Sequence, residues 1–323
     1  MLAAGNHALA ADHPLSAAEQ VKAMGRGVNI VGYDPLWQNP AKRRFKPQHF
    51  KVIKDGGFNT VRINLYGFRP MNAKMELPAS WYAILDELVN EATKQGLQVV
   101  LDEHDYEHCG ENATSCRAFV LAFWTQVAEH YKAAPNNIVF EILNEPSRAM
   151  DAHWNALLVD ALTVIRKTNP TRNVLIGPAF WNNISWLEKL QLPEKDRHII
   201  VSIHYYEPHT FTHQGASWGD PEWRKLSGIR WGSREDYAKI ERDFDIAQSW
   251  AKERDRPVFL GEFGAYDKAP QGDRIKYTAA VARAAEKRGW GFAYWQFDSN
   301  FVVYDIDKDA WNTPIYRALV PLN

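Results

Sequence analysis

The sequence predicts a single (β/α)8 barrel of the TIM class, and three observations carry that reading. Eight short apolar runs alternate with longer segments of helical period. No linker, internal repeat or low-complexity tract divides the 323 residues. No Gly-rich phosphate turn follows a strand, as the commonest open doubly wound sheets require.

The eight runs span residues 27–32, 60–65, 98–102, 138–143, 174–177, 199–203, 258–261 and 291–295. They are β-branched or aromatic stretches, read as parallel strands buried on both faces because both faces are largely apolar. Helices are expected between them at 47–55, 80–94, 117–131, 152–168, 234–252 and 273–287. The first opens on Pro47 and stops at Gly56-Gly57, and the second carries Leu85, Leu88, Val89 and Ala92 on one face before Gly96. The segment between the fifth and sixth strands has the weakest periodicity.

Composition narrows the function. Lys and Arg number 38 against 39 Asp and Glu, a net charge of -1, so nothing points to nucleic acid or a membrane surface as partner. No run of about 18 apolar residues exists, so no membrane-spanning helix is expected. Thirteen Trp, 13 Tyr and 15 Phe are an excess of flat side chains, which serve in cores but also stack on sugar rings. Residues 1–18, with Ala8-Leu9-Ala10-Ala11, are expected to be the remnant of an export signal or a loose terminus, and 19–323 the catalytic domain. An ordinary Ala-rich terminus is the alternative. Cys109 and Cys116 bracket a polar segment with no metal-ligand spacing, which suits a local disulfide in a secreted protein; two free thiols are the other possibility.

In a barrel the polar residues just past the strand ends line the active face. Those positions hold Arg62 and Asn64, Glu103-His104-Asp105-Tyr106, Asn144-Glu145-Pro146, His204-Tyr205-Tyr206, Glu262-Phe263-Gly264 and Tyr294-Trp295. Two carboxylates facing each other across one barrel mouth can have their pKa values driven apart. Glycoside hydrolysis needs that: one protonated acid for the leaving oxygen and one ionised nucleophile for the anomeric carbon. Glu145 is read as the acid/base and Glu262 as the nucleophile. Arg62 is expected to donate to Glu262, Asn144 to a sugar 2-hydroxyl, and Tyr206 to hold the nucleophile. His104 and His204 are expected to bind hydroxyls or tune the acid, and Trp295 to floor the reacting sugar. Each has a structural alternative, as an interior ion pair or ordinary packing.

These motifs, in this order, resemble glycoside hydrolase family 5, the cellulase family. The opening Arg26-Gly27-Val28-Asn29 and Phe58-Asn59-Thr60-Val61-Arg62-Ile63 are also similar to it, and the likeness runs from about Gly25 to the C-terminus. Thr212-His213-Gln214-Gly215 resembles members acting on β-1,4-glucans. The resemblance implies a retaining double displacement at Glu145 and Glu262, with no cofactor. The Cys109–Cys116 segment departs from the shortest members and lengthens the loop beside the cleft.

Trp37, Trp181, Trp218 and Trp231 fall in loops and are expected to be sugar platforms along an open cleft; Trp124 and Trp154 fall in helices and are expected to pack. The expected function is a retaining endo-β-1,4-glucanase acting on cellulose or β-glucan as a monomer. A β-1,4-mannanase or a mixed-linkage or xyloglucan-cutting relative remains open. A non-catalytic carbohydrate-binding barrel is disfavoured because both glutamates are present. Asp102, His104 and His108 are clustered, but without a helical ligand motif no metal is expected.

Overall fold

A computed structural model describes residues 14–322. The eight strands are β1 (Arg26–Ile30), β2 (Thr60–Leu65), β3 (Gln98–Glu103), β4 (Ile138–Glu141), β5 (Val174–Ile176), β6 (Ile199–Tyr205), β7 (Val258–Phe263) and β8 (Gly291–Tyr294). Each pairs in parallel with the next, and β8 closes on β1. Helices Gln48–Asp55, Ala79–Lys94, Ala113–His130, Trp154–Arg166, Arg234–Glu253 and Gln271–Lys287 match the expected ones to within a few residues. Between β5 and β6 no long helix forms: a short 3-10 segment, Ile184–Lys189, takes its place. No described helix is long and apolar enough to cross a membrane.

The barrel interior changes chemistry from bottom to top, and this change positions the site. In a strand, alternate residues share a face. Val100, Val139, Ile200 and Phe259 form an apolar plug at the bottom with Leu175 and Ala293. Two residues further along the same strands stand Asp102, Glu141, Ser202 and Gly261, of which the three polar residues are fully buried or nearly so. Gly261 is glycine because the level is full: a Cβ there would lie 2.7 Å from Ser202 Oγ and 2.9 Å from His204 Nε2.

The bottom of the barrel is closed by the helix Ala17–Met24, whose Ala17, Val21 and Met24 join the apolar plug. Ser16 caps it, its side chain accepting from the Glu19 N–H while Glu19 accepts in return. Residues 16–18 therefore belong to the barrel rather than to a loose terminus; the rest of the expected export-signal remnant lies, apart from Pro14 and Leu15, outside the described residues.

The loop after β3 is also more ordered than its polar sequence suggests. Tyr106–Glu111 is a short helix, and Asn112 caps the next one by accepting from the Ser115 N–H. The Cys109–Cys116 disulfide is present, fully buried, and ties the two helices together.

Candidate active site

Glu262 is the penultimate residue of β7, and Glu145 stands four residues past the end of β4. Pairing of β6 with β7 carries a bulge between Ile203 and His204, which brings His204 opposite Glu262. Glu145 has φ of 42°, a left-handed value rare outside glycine, at the turn into Pro146. Carboxylate oxygens of Glu145 and Glu262 and a ring nitrogen of His204 all lie within 4.8 Å of one another.

Arg62 organises the polar level beneath them. Fully buried, it donates from Nε to Glu141 Oε2 (2.6 Å), from Nη1 to Glu262 Oε1 and Asn29 Oδ1 (each 2.8 Å), and from Nη2 to Asn144 Oδ1 (2.8 Å). Nη2 also lies 3.1 Å from Asp102 Oδ1. One guanidinium thus answers three buried carboxylates, and the charge left over alters their proton affinities. Burial pushes Asp102 up, but Arg62 and His104 outweigh it and hold the carboxyl below its ordinary range. At Glu141 burial prevails over Arg62 and raises the pKa.

The two facing glutamates have different surroundings. Glu262 receives Arg62 on Oε1 and the Tyr206 hydroxyl on Oε2, the latter at 2.9 Å. Glu145 meets His204 Nδ1 at 2.8 Å through Oε1 and has no ion pair with Arg62. Burial raises the Glu145 pKa to about 7 and lowers that of His204 to about 4, so at neutral pH the imidazole beside the acid is uncharged. Burial, followed by the charges of Glu262 and Glu145, pushes the Tyr206 phenol well up, which keeps it a donor.

The other expected residues surround this pair. With Oδ1 of Asn144 taken by Arg62, its amide nitrogen is the donor left for a sugar hydroxyl. His104 Nδ1 contacts Asp102 Oδ2 at 2.6 Å, and its ring stacks on Trp295 with centroids 5.5 Å apart and planes 7° from parallel. Trp37 is half-buried, donates to the Asn64 carbonyl and lies against Trp81. Trp181 is half-buried and its backbone N–H reaches the Pro146 carbonyl at 3.3 Å, next to Glu145. Trp218 is 48 % exposed and stands edge-on to Tyr266.

Trp231 departs from the expectation. It is 4 % exposed, packed on Phe211, Tyr237 and Tyr277, so it is core and not a platform. Trp124 and Trp154 are core as expected, and their indole N–H groups donate to the Ile142 and Gly177 carbonyls at the upper ends of β4 and β5.

Sequence reading missed Asn29 and Glu141 as parts of the site. Both sit inside apolar strands, and a buried polar residue there must find a partner; that signal was available. It also missed Tyr33, 57 % exposed and edge-on to Trp295, and Phe180 beside Trp181.

The family description "Cellulase (glycosyl hydrolase family 5)" matches residues 21–301. The chain belongs to this family. Among its curated relatives, Endoglucanase H of Acetivibrio thermocellus is 29% identical over 93% of this chain and 33% of that protein. Endoglucanase 3 of Fibrobacter succinogenes is 27% identical over 89% of this chain and 51% of that one. The chain therefore spans between a third and about half of those relatives' length. Among solved structures, Thermotoga maritima Cel5A in complex with mannotriose is 39% identical with a TM-score of 0.89, over 94% of this chain and 99% of that one. The same enzyme has been solved with cellobiose. The cellulose synthase subunit Z of Clostridioides difficile is 33% identical with a TM-score of 0.86, over 92% and 99% of the two chains.

Proposed function

We propose that this chain is a retaining endo-β-1,4-glucanase in which Glu145 is the acid/base and Glu262 the nucleophile. The observation that carries the reading is the pair itself. Two carboxyl groups from different strands have oxygens within 4.8 Å, one with its pKa raised to about 7 and the other receiving two donors. Retaining glycosidases hold their carboxyl groups about 5 Å apart, leaving no space for an intervening water.

In the first step Glu262 attacks the anomeric carbon while the Glu145 carboxyl proton passes to the glycosidic oxygen. The C–O bond breaks and the leaving chain departs with that proton, leaving a glycosyl ester on Glu262. Glu145, now a carboxylate, takes a proton from water, whose oxygen attacks the same carbon and frees Glu262. Neutral His204, as the Nδ1–H tautomer, donates to Glu145 Oε1 in both protonation states and leaves Oε2 to carry the catalytic proton. Asn144 is placed to meet the 2-hydroxyl and the Trp295–His104 stack to floor the reacting sugar. Trp37, Trp181 and Trp218, from three different loops past the strand ends, are read as further sugar platforms, which suits internal cleavage of a polymer. The scheme uses protein groups alone, without cofactor or metal.

The names of the relatives support the glucan reading: endoglucanases recur among them, and the solved complexes include cellobiose. A β-1,4-mannan reading is kept as second because Cel5A was also solved with mannotriose. We further propose a secreted monomer. The Cys109–Cys116 disulfide fits an oxidising compartment, and every group of the site comes from one barrel.

The test is reducing-end release from carboxymethylcellulose with β-1,4-mannan run beside it. Release from the glucan with falling viscosity is expected. Release from mannan alone would overturn the substrate but not the mechanism, and silence on both would overturn the cleft.

A further inference from the structure

Past β5 the backbone does something costly for its residues. Phe180, Trp181 and Asn182 have φ of 60°, 60° and 54°, three consecutive left-handed residues with no glycine among them. Asn tolerates that conformation better than most residues, whereas Phe and Trp do not, and here neither amide atom of the buried Asn182 has a hydrogen-bond partner. The turn is also fixed from below. Asn182 is fully buried against Gly177, where a Cβ would lie only 2.4 Å from the Asn182 side chain. The Phe180 N–H donates to Asp151 Oδ1 at 2.9 Å and the Trp181 N–H reaches Pro146, so the turn is latched to the loop that carries Glu145.

What this arrangement produces is an exposed aromatic ring on a rigid base. Phe180 is 38 % exposed, yet it stacks on Trp186 with centroids 5.1 Å apart and planes 8° from parallel. Lys189 Nζ lies 3.5 Å from the centroid of Trp186, adding a cation to the stack. Beside it opens a concavity of about 290 Å³ edged by Asp151, Asn155, Lys189 and Gln191. An unfavourable backbone that exposes an apolar ring is expected to persist only where the ring has a use.

We propose that Phe180, braced by Trp186, is a sugar platform for the leaving part of a β-1,4-linked glucan chain. The side follows from chemistry: the acid protonates the leaving oxygen, so a ring latched to the Glu145 loop lies on the leaving-group side. This inference rests on the assignment of Glu145 as acid/base.

The experiment compares wild type with Phe180→Ala and Phe180→Asn on cellohexaose and on an aryl β-cellobioside, whose small leaving group ends before the platform. Both variants are expected to lose roughly 3- to 10-fold in kcat/KM on cellohexaose, several-fold more than on the aryl glycoside. Phe180→Asn is expected to melt roughly 1–3 °C above Phe180→Ala, because Asn relieves the left-handed backbone and Ala does not. Equal losses on the two substrates, or none on either, would overturn the platform, and equal melting would overturn the link to backbone strain. A wild type inactive on both substrates would sink the glucanase reading instead, a result distinct from either.

Discussion

The hydroxyl of Tyr206 donates to Oε2 of Glu262 across 2.9 Å, on the oxygen opposite the one that Arg62 holds. Two donors from different strands fix the carboxylate's rotamer, and only Tyr206 can be removed without opening the buried charge cluster. A hydrogen bond to a charged group contributes about 1.5–3 kcal/mol. Tyr206→Phe is therefore expected to slow formation of the glycosyl-enzyme by roughly 10- to 100-fold and to lower the melting temperature by roughly 3–6 °C. Single-turnover kinetics on an aryl β-cellobioside would show it; an unchanged rate would detach Tyr206 from the nucleophile.

The two glutamates are expected to fail in different ways. Glu262→Ala removes the nucleophile, and kcat should fall by a factor on the order of 10⁴ or more while substrate still binds. Glu145→Gln removes the proton donor, so natural glucans should suffer far more than aryl glycosides with good leaving groups, which need no proton. Equal losses on activated and natural substrates would take the acid/base role from Glu145.

Much of this was legible in the sequence because a barrel exposes its chemistry at strand ends. Glu262 directly follows an apolar run, Tyr206 comes just past the end of β6 and Arg62 interrupts the run of β2, and the structure brings them into contact. The polar level under the site was harder to read. Asn29 and Glu141 lie within strands whose hydrophobicity marks them as buried, and no local pattern tells which buried polar residue meets Arg62; barrel closure decides that. Trp231 misled for the opposite reason. Its loop folds back over the barrel, and burial against Tyr277 overrides the expectation that loop aromatics are exposed. The left-handed turn at Phe180 carries no sequence signal, since neither Phe nor Trp favours it.

The disulfide is expected to act on stability before activity. It closes a short loop, with a sequence separation of 7 between Cys109 and Cys116, for which chain entropy gives about 2–3 kcal/mol. The joined helices follow His104 in the chain and Gly110 packs against Ser147 and Arg148 just past Glu145, so loosening them reaches the cleft through both loops. A Cys109→Ala/Cys116→Ala variant should melt a few degrees lower and keep most of its kcat. A large loss of kcat at a temperature where the variant remains folded would show that the tied helices position the catalytic residues beside them.

Glu145 makes activity and stability depend on pH in opposite chemical senses from an ordinary surface carboxylate. Burial raises its pKa in the folded protein to about 7 from an ordinary 4.5. The acid works only while protonated, so turnover on natural glucans should fall as pH rises through about 7. Stability follows the same proton. A raised folded pKa means that the folded state favours the protonated carboxyl, an advantage fully present below about 4.5 and lost as pH rises to about 7. Glu145→Gln has no such proton to lose. Between pH 5 and pH 8 the wild type should therefore lose about 2–3 kcal/mol that the variant keeps. In melting curves the variant should gain on the wild type by roughly 3–5 °C over that interval. A difference that stays flat with pH would show that Glu145 keeps an ordinary pKa and would move the search for the alkaline limb to another group.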